Sequence, residues 1–189
     1  MPHERLFFAL PINGQAKAAI IAIMKTLQSS VDNDGIKWVP PENLHVTLRF
    51  LGQVSPAQKQ QLIEAVSLVI KTIPPFSMTV GGLMLFPQKK AAKYLVLKVG
   101  DHPVLTQLAE KLDKIATKVG CQKEHFRFRP HISIARLKAG AEIDSVFIER
   151  KPHDYEVNEV ALFSSVSNLR GVRYVTVTRW GLDKSGLLD

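Results

Sequence analysis

The sequence predicts an α+β fold of two pseudo-symmetric lobes, with helices packed outside mainly antiparallel sheets. Three observations carry this. Strand and helix patterns interleave along the chain without the strict strand-helix alternation of a parallel sheet. Two apolar strand patterns, Leu44 to Leu51 and Phe126 to about Leu137, each hold a histidine followed two residues later by a small hydroxyl residue. The two histidines, His45 and His131, lie 86 positions apart (131 minus 45), each after a strand-helix unit, as a duplication would leave them. At 189 residues the chain is long enough for a full core, and one compact domain spanning 1–189 is expected, with no large appended module.

In order, Arg5 to Leu10 is a short apolar strand closed by Pro11. From Gln15 to Leu27, Ala16, Ala19, Ile20, Ile23 and Leu27 recur at helical spacing. Ser29 to Gly35 is a polar turn, and Ile36 to Val39 a short strand running into Pro40-Pro41. After the first histidine strand, Ser55 is placed to cap a helix with Pro56 at its first position, running to about Ile70. A strand from Phe76 to Phe86 follows, with a bulge or bend expected at Gly81-Gly82; Lys89-Lys90 marks the hairpin turn and Tyr94 to Val99 the returning strand. Asp101 is expected to cap a third helix, which Gly120 ends. Ala141 to Arg150 reads as helix or loop, and Val157 to Ser165 and Val172 to Trp180 as two closing strands.

A chain with 46% hydrophobic and 22% charged residues is ordinary for a globular protein, not a disordered one. Its longest purely apolar stretch, Ala18 to Met24, is too short to span a bilayer, and the N-terminal Leu6 to Leu10 run lacks the cleavage site of a signal peptide. A cytoplasmic monomer with no membrane association is expected. Cys121 is the only cysteine, which excludes an internal disulfide and any cysteine-based zinc cluster; nothing beside it would activate the thiol. The net charge of +8 favours a polyanionic partner such as nucleic acid, the more so because Arg127, Arg129 and Arg136 gather around the second histidine.

In a strand, His45, Thr47 and Arg49 share one face by alternation, and so do His131 and Ser133. A single histidine in a strand is by default structural; two in the same context, each with a hydroxyl on its own face, ask for a common explanation. Two imidazoles facing each other across a cleft suit paired general acid and base catalysis near neutral pH. In-line displacement at phosphorus uses such a pair without a metal or a covalent nucleophile. Thr47 and Ser133 are then donors to non-bridging oxygens, and a nearby arginine neutralises developing charge. Rival chemistries have weaker support: no His-Glu-x-x-His pattern or acidic cluster lies near either motif, no Gly-x-Ser-x-Gly turn is present, and no glycine-rich phosphate loop is complete. His3, His102, His125 and His153 lack the motif context and read as surface or structural residues.

Asn43-Leu44-His45-Val46-Thr47-Leu48-Arg49-Phe50-Leu51-Gly52 together with Arg129-Pro130-His131-Ile132-Ser133-Ile134-Ala135-Arg136 resembles the paired signature of the 2H phosphoesterase superfamily. With the opening Arg5 to Leu10 and the closing Ser164-Ser165, Gly171 and Tyr174, the chain is most similar to the RNA 2',3'-cyclic phosphodiesterases, also called 2'-5' RNA ligases. The resemblance implies two lobes whose antiparallel sheets line a central cleft. It also implies cofactor-free, metal-independent opening of a 2',3'-cyclic phosphate to a 2'-phosphate, with reversible 2'-5' ligation. By the same resemblance His45 is the proton donor and His131 the acceptor; Thr47, Ser133 and Arg136 contact substrate, and the alternation adds Arg49. Expected partners are RNA or tRNA fragments with cyclic phosphate ends and small cyclic nucleotides. Strict alternation puts Arg136 opposite His131, so its place in the cleft needs a strand end or bulge. Ser133 stands where threonine is commoner; it keeps the donor and loses the methyl that fixes the rotamer. Two other readings stay open, an RNA-end binding module without turnover and a related enzyme acting on another small phosphodiester.

Overall fold

The computed structural model describes residues 3–31, 34–88, 91–124, 127–138, 152–168 and 171–182. Nine strands and three helices are described: β1 (Glu4–Pro11), α1 (Gly14–Ser30), β2 (Ile36–Trp38), β3 (His45–Val54), α2 (Pro56–Ile70), β4 (Phe76–Phe86), β5 (Tyr94–Val99), α3 (Pro103–Lys118), β6 (His131–Leu137), β7 (His153–Val157), β8 (Glu159–Asn168) and β9 (Gly171–Gly181). A 3-10 turn, Pro41–Asn43, leads into β3. None of the helices among the described residues is long and apolar enough to cross a membrane.

Local chemistry explains most boundaries. At α2 the Ser55 hydroxyl accepts from the Gln58 N–H while the Gln58 side chain accepts from the Ser55 N–H, a complete capping box with Pro56 at the first helical position. Helix α3 ends at Gly120, whose φ of +87° lets the Gly120 and Cys121 N–H groups turn back onto the carbonyls of Thr117 and Ala116. The cap at the start of α3 differs from expectation: His102 is the capping residue and no side chain bonds the first turn, because Asp101 stands one residue too early. The second histidine strand begins at His131, with residues 127–130 outside it and Phe126 outside the described residues; Pro130, which has no N–H for a ladder, precedes it. Strand β7 has little apolar alternation in its sequence, His-Asp-Tyr-Glu-Val, and among the described residues it pairs with β4 only, at the edge of the sheet. The segment expected as helix or loop at 141–150 lies outside the described residues.

All the strands join one sheet in the order β7-β4-β5-β6-β3-β1-β8-β9, with β2 also paired to β6, and every described pairing is antiparallel. The β6–β3 seam divides this path into two halves of four strands. On one side lie β3, β1, β8 and β9; on the other β6, β5, β4 and β7. The β3–β6 ladder, beyond which β2 continues along the same edge of β6, is a single residue pair, Val46 opposite Ile132. Both are fully buried in the main core, so the residues flanking them on each strand face the other way. The sheet curls strongly enough that the start of β9 returns to the turn before β3, where Asn43 bonds its backbone. Lys37 of β2 also reaches the hairpin tip, its ammonium sitting where a Cβ on Gly171 would be 3.3 Å away. Helix α3 packs on β3 and on α2, which also meets β9, whereas the N-terminal end of α1 faces Met78 and β7 residues 154–157 on the far side of the seam.

Candidate active site

The two histidines open their strands immediately beside the seam. Since Val46 and Ile132 point into the core, His45, Thr47, His131 and Ser133 project together onto the concave face, all four half-buried. Each imidazole is held in the same way. His45 Nδ1 lies 2.6 Å from the Asn43 carbonyl oxygen, and His131 Nδ1 lies 2.7 Å from that of Arg129. A carbonyl only accepts, so in both neutral rings Nδ1 carries the proton and Nε2 presents its lone pair. His45 Nε2 lies 3.0 Å from Thr47 Oγ1, whose hydroxyl donates to it.

Aromatic rings wall both histidines, differently. Around His45 stand Phe7 at 5.1 Å, Phe163 at 6.5 Å and Tyr174 at 5.1 Å, the last edge-on at 88°. Phe86 stacks on His131 at 4.2 Å and 26°, with the Arg129 guanidinium 4.9 Å from the centre of the same Phe86 ring. Burial therefore pushes the His45 pKa down to about 4, with the Asn43 carbonyl opposing and His131 adding to the shift. His131 is also lowered, first by burial and then by the Arg129 charge, against the pull of the Arg129 carbonyl. Burial raises the Tyr174 phenol, with Tyr94 adding and Arg5 opposing.

The faces of the two motif strands change half-way along. In the β1–β3 ladder Phe8 pairs with Arg49 and Ala9 with Thr47, so Leu48 is an extra residue; in the β5–β6 ladder Leu95 pairs with Ala135 and Val96 with Ser133, so Ile134 is one. Both bulges fall three residues after the histidine, and each inverts the parity beyond it. On β6 the bulge returns Arg136 to the face of His131, exposed and opposite Tyr94. On β3 it has the reverse effect on the expected arginine. Arg49 does not line the cleft: it is 3% exposed, and Nε donates to Asp113 Oδ1 at 2.6 Å and Nη2 to the Gln122 carbonyl at 2.5 Å. Nη1 bonds the Phe50 carbonyl and lies 3.7 Å from Glu124. Its place on the cleft face is taken by Phe50, 56% exposed and packed on Phe7 at 5.9 Å.

The remaining candidates lie elsewhere. Cys121 is buried, and burial pushes its thiol up, away from a reactive thiolate. His102 stacks on Phe76 at the start of α3, and His3 and His153 are exposed; His125 is outside the described residues. Among the described residues no three His, Cys, Asp or Glu side chains are grouped to hold a metal ion.

The model of the LigT-like phosphoesterases matches residues 10–95. The RNA 2',3'-cyclic phosphodiesterase of Aquifex aeolicus is 31% identical over 153 residues, covering 77% of this chain and 81% of that protein. The protein of the same name from Thermotoga maritima is 30% identical over 173 residues, 90% of this chain and 91% of its own. The chain belongs to the LigT-like phosphoesterase family. Its fold matches that of Escherichia coli LigT complexed with 3'-AMP at a TM-score of 0.82 and 26% identity, covering 96% of this chain and 99% of that one. TT0787 of Thermus thermophilus matches at a TM-score of 0.83 and 25% identity, over 94% and 97% of the two chains. As a member of this family the chain is an enzyme with the α+β LigT fold. Sequence reasoning missed several residues of its site. Phe7, Phe86 and Phe163 are indistinguishable in sequence from core phenylalanines. Asn43 and Arg129, by contrast, occupy the same position relative to each histidine, a signal that the paired motifs did contain.

Proposed function

We propose that this LigT-like phosphoesterase hydrolyses RNA 2',3'-cyclic phosphate ends to 2'-phosphates with His45 as general acid and His131 as general base. The observation that carries the reading is the paired imidazoles themselves, on adjacent strands with both Nδ1 atoms tied to backbone carbonyls so that both Nε2 atoms serve the cleft. His131 Nε2 takes a proton from water as the water oxygen attacks phosphorus; the bond to O3' breaks, and His45 Nε2–H protonates that oxygen. Thr47 and Ser133 donate to the non-bridging oxygens, and Arg136, on the same face, offsets their charge. The walls support the direction. In-line departure of O3' places the ribose on the acid's side, where exposed Phe50 on the strand of His45 and half-buried Tyr174 beside His45 offer aromatic surface, whereas the cation Arg136 lies on the strand of His131. An RNA 5'-hydroxyl in place of water would give a 2'-5' linkage by the same route.

Burial keeps both rings neutral at pH 7 in the free protein, so the acid must gain its proton with the substrate, whose negative phosphodiester favours an imidazolium beside it. The test is hydrolysis of a 2',3'-cyclic-phosphate-ended oligoribonucleotide in EDTA, with the product identified. A 2'-phosphate is expected, and turnover in His45→Ala or His131→Ala should fall by at least about a hundredfold. A 3'-phosphate product would exchange the two roles, and unchanged turnover in either variant would refute them.

A further inference from the structure

Each histidine is preceded, two residues upstream, by a residue that does two things at once. Through its backbone, Asn43 accepts the His45 Nδ1–H and Arg129 accepts the His131 Nδ1–H. Through its side chain, each grips the neighbouring segment that supplies the ring packed on that histidine. Asn43 is 7% exposed; its Nδ2 donates to the Val172 carbonyl at 2.9 Å and its Oδ1 accepts the Tyr174 N–H at 3.4 Å. The carboxamide thus pairs with the start of β9 as a strand residue would, and Tyr174 stands edge-on against His45. Arg129 donates from Nη1 to the Pro87 carbonyl at 3.3 Å and lies against the Phe86 ring, which stacks on His131. Two side chains as unlike as a carboxamide and a guanidinium perform the same task at positions related by the pseudo-symmetry. Sequence similarity does not account for this, because the residues differ; the shared requirement is geometric.

We infer that Asn43 and Arg129 are a matched pair of positioning residues, each fixing the tautomer and ring orientation of its own histidine by locking the peptide that accepts Nδ1–H to the strand or loop that carries the histidine's aromatic wall. The inference rests on the catalytic roles proposed above only for its kinetic arm. A hydrogen bond to Nδ1 selects the tautomer only if the carbonyl is held where the ring needs it. Both residues precede the first ladder position of their strands, and the backbone bonds nearby, Leu44 N–H to the Pro41 carbonyl and Val99 N–H to the Pro130 carbonyl, are long at 3.4 Å each, so the side-chain grips complete the hold.

Long-range 1H–15N spectra of the histidine rings in the intact protein read the tautomers directly. In the unmodified protein at pH 7.5, His45 and His131 should both show protonated Nδ1 and unprotonated Nε2. Arg129→Ala, an exposed change that the fold tolerates, should turn His131 into a mixture of tautomers and leave His45 as it was. Asn43→Ala should do the converse. In Asn43→Asp, which keeps the acceptor for Tyr174 N–H and loses the donor to Val172, the effect on His45 should be intermediate. With cyclic-phosphate RNA, kcat should fall about tenfold or more in Arg129→Ala and Asn43→Ala, with KM changed by less than about threefold. A pure Nδ1–H signal for the corresponding histidine in both alanine variants would overturn the inference, even if melting temperatures fall. If the tautomers change as expected while His45→Ala retains turnover, the positioning stands and the catalytic assignment fails.

Discussion

At the scale of single residues, Arg49 shows how a charge can be mistaken for a ligand site. It lies two positions after Thr47, in a run whose alternation up to that point is regular, and nothing in its chemistry distinguishes a phosphate-binding arginine from one that joins a strand to a helix. Its surroundings do. Asp113 and Glu124 neutralise it from α3 and the segment that follows, and two carbonyls take further N–H groups, so the guanidinium is consumed where it stands. Arg49→Met keeps the stem and removes the fork, leaving those acceptors to be met by water that reaches them poorly. The expected cost is about 2 kcal/mol, discounted because both carboxylates keep some solvent contact. It should appear as a lower denaturation midpoint in urea, while kcat of the folded enzyme changes by less than about threefold. A large loss of kcat at unchanged stability would put Arg49 back among the groups that act on substrate.

At the scale of elements, the two bulges decide what the cleft is made of. An extra residue after Thr47 and another after Ser133 give β3 and β6 the same pattern: histidine, then hydroxyl, then the residue five beyond the histidine on the concave face. On β6 that residue is Arg136 and on β3 it is Phe50. One lobe therefore offers a cation and the other an aromatic surface, although the strands are laid out alike. Phe50→Ala should raise KM for an oligoribonucleotide substrate by about tenfold, on the order of 1 kcal/mol, with kcat and thermal stability nearly unchanged, because the ring is mostly exposed before substrate arrives. Steady-state kinetics on a dinucleotide and on a longer RNA would check it, and equal KM values in variant and parent would remove Phe50 from the substrate's path. The elements that the sequence made legible are those whose chemistry is local. The Ser55–Gln58 box and Pro56 define α2, and Gly81-Gly82 marks where the β4–β5 register slips between Val80 and Leu83. The bulges at Leu48 and Ile134 contain no glycine and no turn residue; they exist because β1 and β5 pair out of step with the motif strands, a property of two segments that neither displays alone. For the same reason β7 escaped notice, since a polar edge strand is defined by its partner.

At the scale of the whole molecule, pH acts on the fold through the site. His45 has a pKa of about 4 in the folded protein and about 6.5 when unfolded. Above pH 6.5 both states keep it neutral and it contributes no pH dependence. As the pH falls from 6.5 toward 4 the unfolded chain takes up a proton that the folded one refuses, so stability declines, by roughly 3 kcal/mol once pH 4 is reached. His131, lowered for the same main reason, adds to the decline in the same direction. Melting temperature measured across this range should drop, and the drop should be shallower in His45→Gln; equal slopes in the two proteins would mean that His45 is not desolvated as described. A bound phosphate anion should reduce the acid sensitivity, because it favours the charged ring.

The seam at the centre of the sheet has a mechanical meaning as well. Four strands of the main path stand on each side, joined along their ladders by many residue pairs, yet the β3–β6 ladder is one pair, Val46 with Ile132, with β2 continuing along the same edge of β6. This short β3–β6 ladder runs directly beneath the two imidazoles. A small rotation about that line would alter the span between the two Nε2 atoms, while the links from His45 to Asn43 and from His131 to Arg129 remain within their own halves. Each imidazole would then move with its own anchoring residue, and the span of the pair would follow any bend at the β3–β6 join.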